Sequence, residues 1–136
     1  MIHITRRERF SAAHRMYRKD LSDKENLKVF GKCSNPGWHG HNYILYVTVR
    51  GEISDENGFI MNLSTLKQII NKKIISKTDH KNLNTEVSFM KGKICTTENL
   101  AVAIWNELRP AIEKEGAILH CVRIEETENN SVEYYG

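Results

Sequence analysis

Two histidines stand at a spacing that chemistry can use, in His39-Gly40-His41. Residues i and i+2 of a strand project to the same side of a sheet, so an extended segment here makes the two imidazoles converge. Such a pair suits a zinc site as well as it suits a chance pair on a strand. A catalytic zinc takes a further protein ligand and keeps an open position. His14 is a candidate for that ligand, because it ends a first strand that could lie beside the second. Gly40, with no Cβ, lets the backbone approach another group closely.

Cys33 lies in a polar stretch, Gly31-Lys32-Cys33-Ser34-Asn35-Pro36. A cation beside a thiol lowers its pKa and makes thiolate available as base or nucleophile; the alternative is a small buried hydrophobe. Cys121 sits in an apolar strand and reads as inert packing. Cys95 precedes a helix start that could mildly activate it. Asp79-His80 follows the first long helix. A carboxylate holding an imidazole in one tautomer is a recurrent acid/base arrangement, and an Asx-type turn explains the same residues. Glu126 closes the strand face of Val122 and Ile124, where it would anchor N–H donors of a ligand or end as a solvated carboxylate; Glu125 points the other way. His3 and His120 show no clustering partner.

The elements that must position these residues follow from periodicity. Residues 2–13 read as a first strand. Residues 15–38 form a long excursion with a short helical turn around Lys24–Val29. Residues 39–51 are rich in β-branched and aromatic types and make the strongest strand. Leu63, Leu66, Ile70 and Ile74 repeat at helical spacing, with Asn62 or Ser64 as cap. Leu100, Ala103, Ile104 and Leu108 mark a second helix after Thr97, with Pro110 kinking or ending it early and Gly116 as a stop. Residues 117–126 alternate, and 131–135 pair with them across Asn129-Asn130. The order predicts an α+β domain spanning residues 1–136: a four-stranded antiparallel sheet with two helices on one face. Its other face then needs cover, which a partner subunit would supply.

The chain has 136 residues, 40% hydrophobic and 27% charged, the balance of a globular domain rather than a disordered one. No apolar run reaches the roughly 20 residues that span a bilayer, and Met1–Arg6 carries no apolar segment of a secretory leader. The cysteines, three in number with no CxxC spacing, suit free thiols and predict a cytoplasmic setting. A net charge of +3 without a basic stripe argues against nucleic acid as partner.

In order along the chain, these segments resemble the 6-pyruvoyltetrahydropterin synthase family. The resemblance runs through Phe10-Ser-Ala-Ala-His14-Arg15, Leu21 to Cys33, His39-Gly-His41-Asn-Tyr43, Asn62-Leu63, Asp79-His80-Lys-Asn-Leu83, Thr96-Thr97-Glu98-Asn99 and Glu126 to Asn130. It implies the tunnelling fold (T-fold), whose subunits form a trimer with sheets closed into a barrel. Two trimers stack into a homohexamer with active sites where subunits meet. It implies zinc on His14, His39 and His41, Cys33 as general base, and Asp79 and His80 as the rest of the catalytic set. Glu126 would anchor the pterin, helped by the backbone around Thr96 and Thr97 of an adjacent subunit. The implied reaction turns dihydroneopterin triphosphate into 6-pyruvoyltetrahydropterin and triphosphate, a step of tetrahydrobiopterin-type synthesis. Arg15, Arg18, Lys19 or Lys32 would meet the phosphates.

Within the family, 6-carboxytetrahydropterin synthase of queuosine synthesis releases acetaldehyde and triphosphate from the same substrate. Its branch typically has a shorter segment between the cysteine and the HGH motif than the stretch Ser34–Trp38 found here, so the spacing resembles the pyruvoyl type. A non-catalytic zinc-bearing module would keep the histidines and lose the base, whereas Cys33, Asp79, His80 and Glu126 are all present. Trp38 stands where the family usually has a small residue, Cys95 where Ser or Pro is common, and Lys77-Thr78 in place of a Pro-Leu-like pair.

Overall fold

The structure is a computed structural model describing residues 1–136. Its sheet is built on two long strands, β1 (Ile2–His14) and β2 (His39–Gly51), antiparallel along their whole length from Ile2 opposite Gly51 to His14 opposite His39. The alternation read in the sequence sets the faces. Tyr43, Leu45, Val47 and Val49 point to one side and are fully buried. β4 (Ile118–Thr127) pairs with β2 and β5 (Asn130–Tyr134) with β4, both antiparallel.

The expected four-stranded antiparallel sheet is corrected at one edge. A two-residue strand, β3 (Lys81–Asn82), pairs parallel to Ala12–Ala13, so the sheet is mixed, in the order β3-β1-β2-β4-β5. Two residues carry no alternation that a sequence reading can detect. His80 N donating to Ser11 O at 2.7 Å and Leu83 N donating to Ala13 O at 2.8 Å tie this segment to β1.

Helices cover the apolar face. α1 (Asp23–Phe30) lies in the excursion between β1 and β2, started by Ser22 and Glu25 in a reciprocal capping box. Asn26, 1% exposed, fixes the preceding loop by accepting from Arg18 N and donating to the Arg18 and Leu21 carbonyls. α2 (Leu63–Ile70) is capped by Asn62, whose side chain accepts from Ser64 N at 2.8 Å. It continues through a π-helical turn, Asn71–Ile75, into the short α3 (Ser76–Thr78). Leu66, Ile70 and Ile74 are buried as their spacing predicts, while Leu63, in the first turn, is exposed. α4 (Thr97–Lys114) is capped by Thr96 and buries Leu100, Ala103, Ile104, Leu108 and Ile112. It runs through Pro110 rather than ending there; the apolar stripe on both sides of the proline outweighs one lost backbone bond.

The helix-free face is polar rather than bare hydrocarbon. Thr5, Arg7, Arg9, Thr48 and Arg50 alternate with the buried positions of β1 and β2. No helix is long and apolar enough to cross a membrane.

Candidate metal centre and adjoining clefts

The β1–β2 register decides the geometry of the histidines. His14 ends β1 directly opposite His39, and His41 stands opposite Ala12. The rings approach with centroids 4.5 Å apart for His14–His39 and 5.0 Å for both His14–His41 and His39–His41. One ligand nitrogen from each lies within 4.8 Å of the others, so the three are positioned to bind a metal ion.

Three observations test whether this donor set fits a metal. His14 Nδ1 lies 2.7 Å from the Cys95 carbonyl oxygen. A carbonyl only accepts, so Nδ1 carries the proton and Nε2 presents its lone pair. That nitrogen is 3.1 Å from His41 Nε2, against the roughly 3.3 Å that tetrahedral bonds of about 2 Å would set between two ligands of one zinc. His39 Nε2 is buried without a hydrogen-bond partner. The donors therefore fit a small, nitrogen-loving cation. Burial lowers the pKa of both His14 and His41, against the raising effects of the Cys95 carbonyl on His14 and of Glu126 on His41, so both rings are held in the neutral, ligating form.

Glu126 sits at the edge of this centre. Its Oε1 is 3.7 Å from His41 Nε2, and its Oε2 accepts a short hydrogen bond from the Thr97 hydroxyl. Glu125 faces the other way and pairs with Arg123 at 2.9 Å. Thr97 is thus beside Glu126 within one chain, brought there by the α4 N-terminus packing on the end of β4, while Thr96 caps α4 by accepting from Asn99 N at 3.2 Å. Cys33, half-buried in the tight turn Gly31–Ser34, lines a cleft of about 360 Å³ with Met16, Thr97 and Glu126.

Asp79 and His80 come together, but elsewhere. Asp79 Oδ2 is 3.0 Å from His80 Nδ1, and its Oδ1 accepts from Ser11 N at 2.9 Å. That backbone N–H, ahead of the contact with His80, holds the Asp79 carboxyl below its ordinary pKa. His80 adopts a left-handed backbone, φ 58°, unusual for a side chain of this size. The pair lines a cavity of about 370 Å³ with Arg9, Phe10 and Asn42. His80 and His41 also share a second of about 480 Å³. Cys33 lines neither.

Sequence reasoning missed several neighbours. The Cys95 contribution is its carbonyl, fixed by the turn before α4, whereas the residue is 2% exposed and burial pushes its thiol up to about 11 rather than activating it. Tyr43 stacks on Phe10 and meets the His14 and His41 rings edge-on, with its hydroxyl buried and unbonded. Trp38, next to His39, is 40% exposed at φ 61°. His3 and His120 do have a partner, namely each other, with ring centroids 4.3 Å apart.

A family model for 6-pyruvoyl tetrahydropterin synthase matches residues 3–136. The chain belongs to that family. It is 48% identical over 133 residues to the human 6-pyruvoyl tetrahydrobiopterin synthase, covering 98% of this chain and 90% of that protein. The synthase of the same name from Dictyostelium discoideum is 47% identical over 133 residues, covering 98% of this chain and 95% of its own. The solved structure of the Caenorhabditis elegans 6-pyruvoyl tetrahydropterin synthase superposes with a TM-score of 0.92 at 38% identity, over 99% of this chain and 95% of that one. The synthase family's T-fold is therefore the architecture of this chain.

Proposed function

We propose that the protein is a 6-pyruvoyltetrahydropterin synthase, a lyase that converts dihydroneopterin triphosphate to 6-pyruvoyltetrahydropterin with release of triphosphate. The observation that carries the reading is the metal-ready histidine cluster beside a cleft that holds both a thiol and a carboxylate, in a chain 48% identical to a synthase of that name. The net reaction is redox-neutral: the ring gains the hydrogens that the side chain loses, and no external oxidant or reductant is needed.

Zinc on His14, His39 and His41 would supply Lewis-acid polarisation of the substrate's side-chain oxygens, which acidifies the adjoining C–H. Cys33, as thiolate, takes that proton. Glu126, oriented by Thr97, accepts N–H donors of the pterin ring and fixes its position relative to Cys33. Asp79 holds His80 in one tautomer so that the imidazole can carry protons between carbon and oxygen during tautomerisation. Since the Asp79–His80 pair and Cys33 line different cavities of one chain, a second subunit would complete the set. That fits residues 1–136 acting as one T-fold domain, in a barrel of trimers stacked as a homohexamer, in the cytoplasm. For the triphosphate, Arg15 is engaged with the Ser34 carbonyl at 2.6 Å and with Asp23, and Arg18 with Asp20. Lys19 and Lys32 carry no ion pair and are the free cations.

The test is incubation of the zinc-loaded protein with dihydroneopterin triphosphate and identification of products by mass spectrometry. A 6-pyruvoyl product with triphosphate is expected, lost in Cys33→Ala with metal content unchanged. A 6-carboxy product with acetaldehyde would assign the chain to the other branch of the family.

A further inference from the structure

The cleft that holds Cys33 and Glu126 is a poor seat for phosphates. Glu98 and Glu126 are the charged side chains that line it, with no Lys or Arg among them. A polyanion placed there would face two carboxylates. The cavities lined by His80 offer no excess of cations either: one sets Lys81 against Glu86, the other Arg9 against Asp79.

A further cavity, of about 460 Å³, has a different balance. Residues 17–20 and the loop before α4 line it, and they bring Arg18, Lys19 and Lys93 together. Its one carboxylate, Asp20, is held by Arg18 through both oxygens, Nε donating to Oδ1 at 3.0 Å and Nη2 to Oδ2 at 2.5 Å. Arg18 thereby cancels Asp20. Lys19 and Lys93, both exposed, carry no ion pair and keep their ammonium groups open to a ligand. Gly92, which also lines the cavity, adds a backbone donor. Its N–H makes no backbone hydrogen bond, whereas Lys91 N and Lys93 N on either side donate to the Ser88 and Met90 carbonyls. At φ 79°, with open space where a Cβ would stand, Gly92 lets a ligand approach the chain closely.

This cavity adjoins the catalytic cleft, because the same two segments wall both. Met16 lines the cleft and donates its N–H to the Cys33 carbonyl at 2.8 Å, and the next residue, Tyr17, lines the cavity. Ile94 lines the cavity, Cys95 turns its carbonyl to His14, and Thr97 lines the cleft. Lys32, the other free cation before β2, lines neither.

On the reaction proposed above, which supplies the identity of the ligand, we propose that this cavity seats the triphosphate of the substrate, with Lys19, Lys93 and the Gly92 N–H as its binding groups. Its volume lies within the range of small-molecule sites. These groups hold the leaving group and move no proton, so their loss should act on KM.

Inorganic triphosphate is the first probe, titrated calorimetrically into the metal-loaded protein, with metal content measured before and after. About one triphosphate per chain is expected. Lys93→Gln should weaken binding several-fold, and Lys19→Gln with Lys93→Gln at least tenfold. Lys114→Gln, which removes the same charge at the exposed end of α4, should leave binding unchanged. In the product assay, KM for dihydroneopterin triphosphate should rise at least tenfold in the double variant. The inhibition constant of dihydroneopterin, which lacks the phosphates, should stay at its wild-type value. Absence of saturable triphosphate binding, binding intact in the double variant, an equal loss in Lys114→Gln, or an equal weakening of dihydroneopterin would each overturn the proposal. Triphosphate bound, and lost with the two lysines, in a protein that does not turn over the substrate would overturn the reaction and leave the anion site standing.

Discussion

The hydroxyl of Tyr43 lies fully buried behind the metal centre, and no donor or acceptor meets it. Leaving such a group unsatisfied costs about 1–3 kcal/mol of desolvation. Tyr43→Phe removes the hydroxyl and keeps the ring that stacks on Phe10 at 5.0 Å and meets His41 at 5.5 Å. The void left by one oxygen, on the order of 10–15 Å³, costs about 0.3 kcal/mol at the usual cavity coefficient. The net expectation is a gain of about 1–2 kcal/mol. For 136 residues the unfolding entropy is about 0.29 kcal/mol/K, so Tm should rise by about 3–7 °C. Burial, followed by the nearby Glu126, raises the phenol's pKa, so it stays neutral and the gain should not depend on pH between 6 and 8. The assay is calorimetry on metal-loaded wild type and variant at one protein concentration, because ligation and association both move Tm. A Tm lowered by several degrees would show that the hydroxyl has a partner in solution and would refute the orphan argument.

Chelation should lower Tm by several degrees in wild type, since bound metal stabilises the native state by mass action, and should have no effect on His39→Ala. Thr97→Val deletes the donor that holds Glu126; losing a hydrogen bond to a charged group is worth about 1.5–3 kcal/mol, so KM in the product assay should rise at least tenfold with metal content unchanged. Asp79 is held below its ordinary 3.8 by the Ser11 N–H, so its folded pKa lies under its unfolded one. Its contribution is therefore present above about pH 4 and lost as pH falls through the depressed folded value. The urea midpoint of wild type minus Asp79→Asn should shrink between pH 6 and pH 3. The shift is modest because the Asp79 side chain is 39% exposed, and a difference constant across that range would refute the assignment.

What was legible in the sequence follows from the range over which each signal acts. The convergence of His39 and His41 needs only the two-residue period of a strand. The position of His14 needs only that two strands of equal length pair end to end, and Ile2 opposite Gly51 carries His14 to His39 without a slip. The helix faces followed from the spacing of Leu66, Ile70 and Ile74. The contacts that escaped depend on single departures from regularity. Asp79 holding His80 was among the arrangements the sequence offered, but the left-handed backbone from which His80 does so, φ 58°, is not announced by its residue type. β3 exists because hydrogen bonds from His80 and Leu83 bring two residues to the β1 edge, too few to show any period. His3 and His120 look unrelated as long as β4 is read with strict alternation, because a bulge leaves His120 out of the ladder and lets its ring reach over β2. The same bulge explains why the cavity lined by His3 and His120 carries no motif: its residues come from separate strands, and no spacing within one segment encodes their meeting. A change that draws His120 into the ladder opposite Val49, with no residue removed, would shift the remainder of that strand end by one residue. Ile118 and Leu119 would then exchange faces, turning the buried Leu119 outward. The bulge is thus tied to the packing of the core as well as to the cavity it opens.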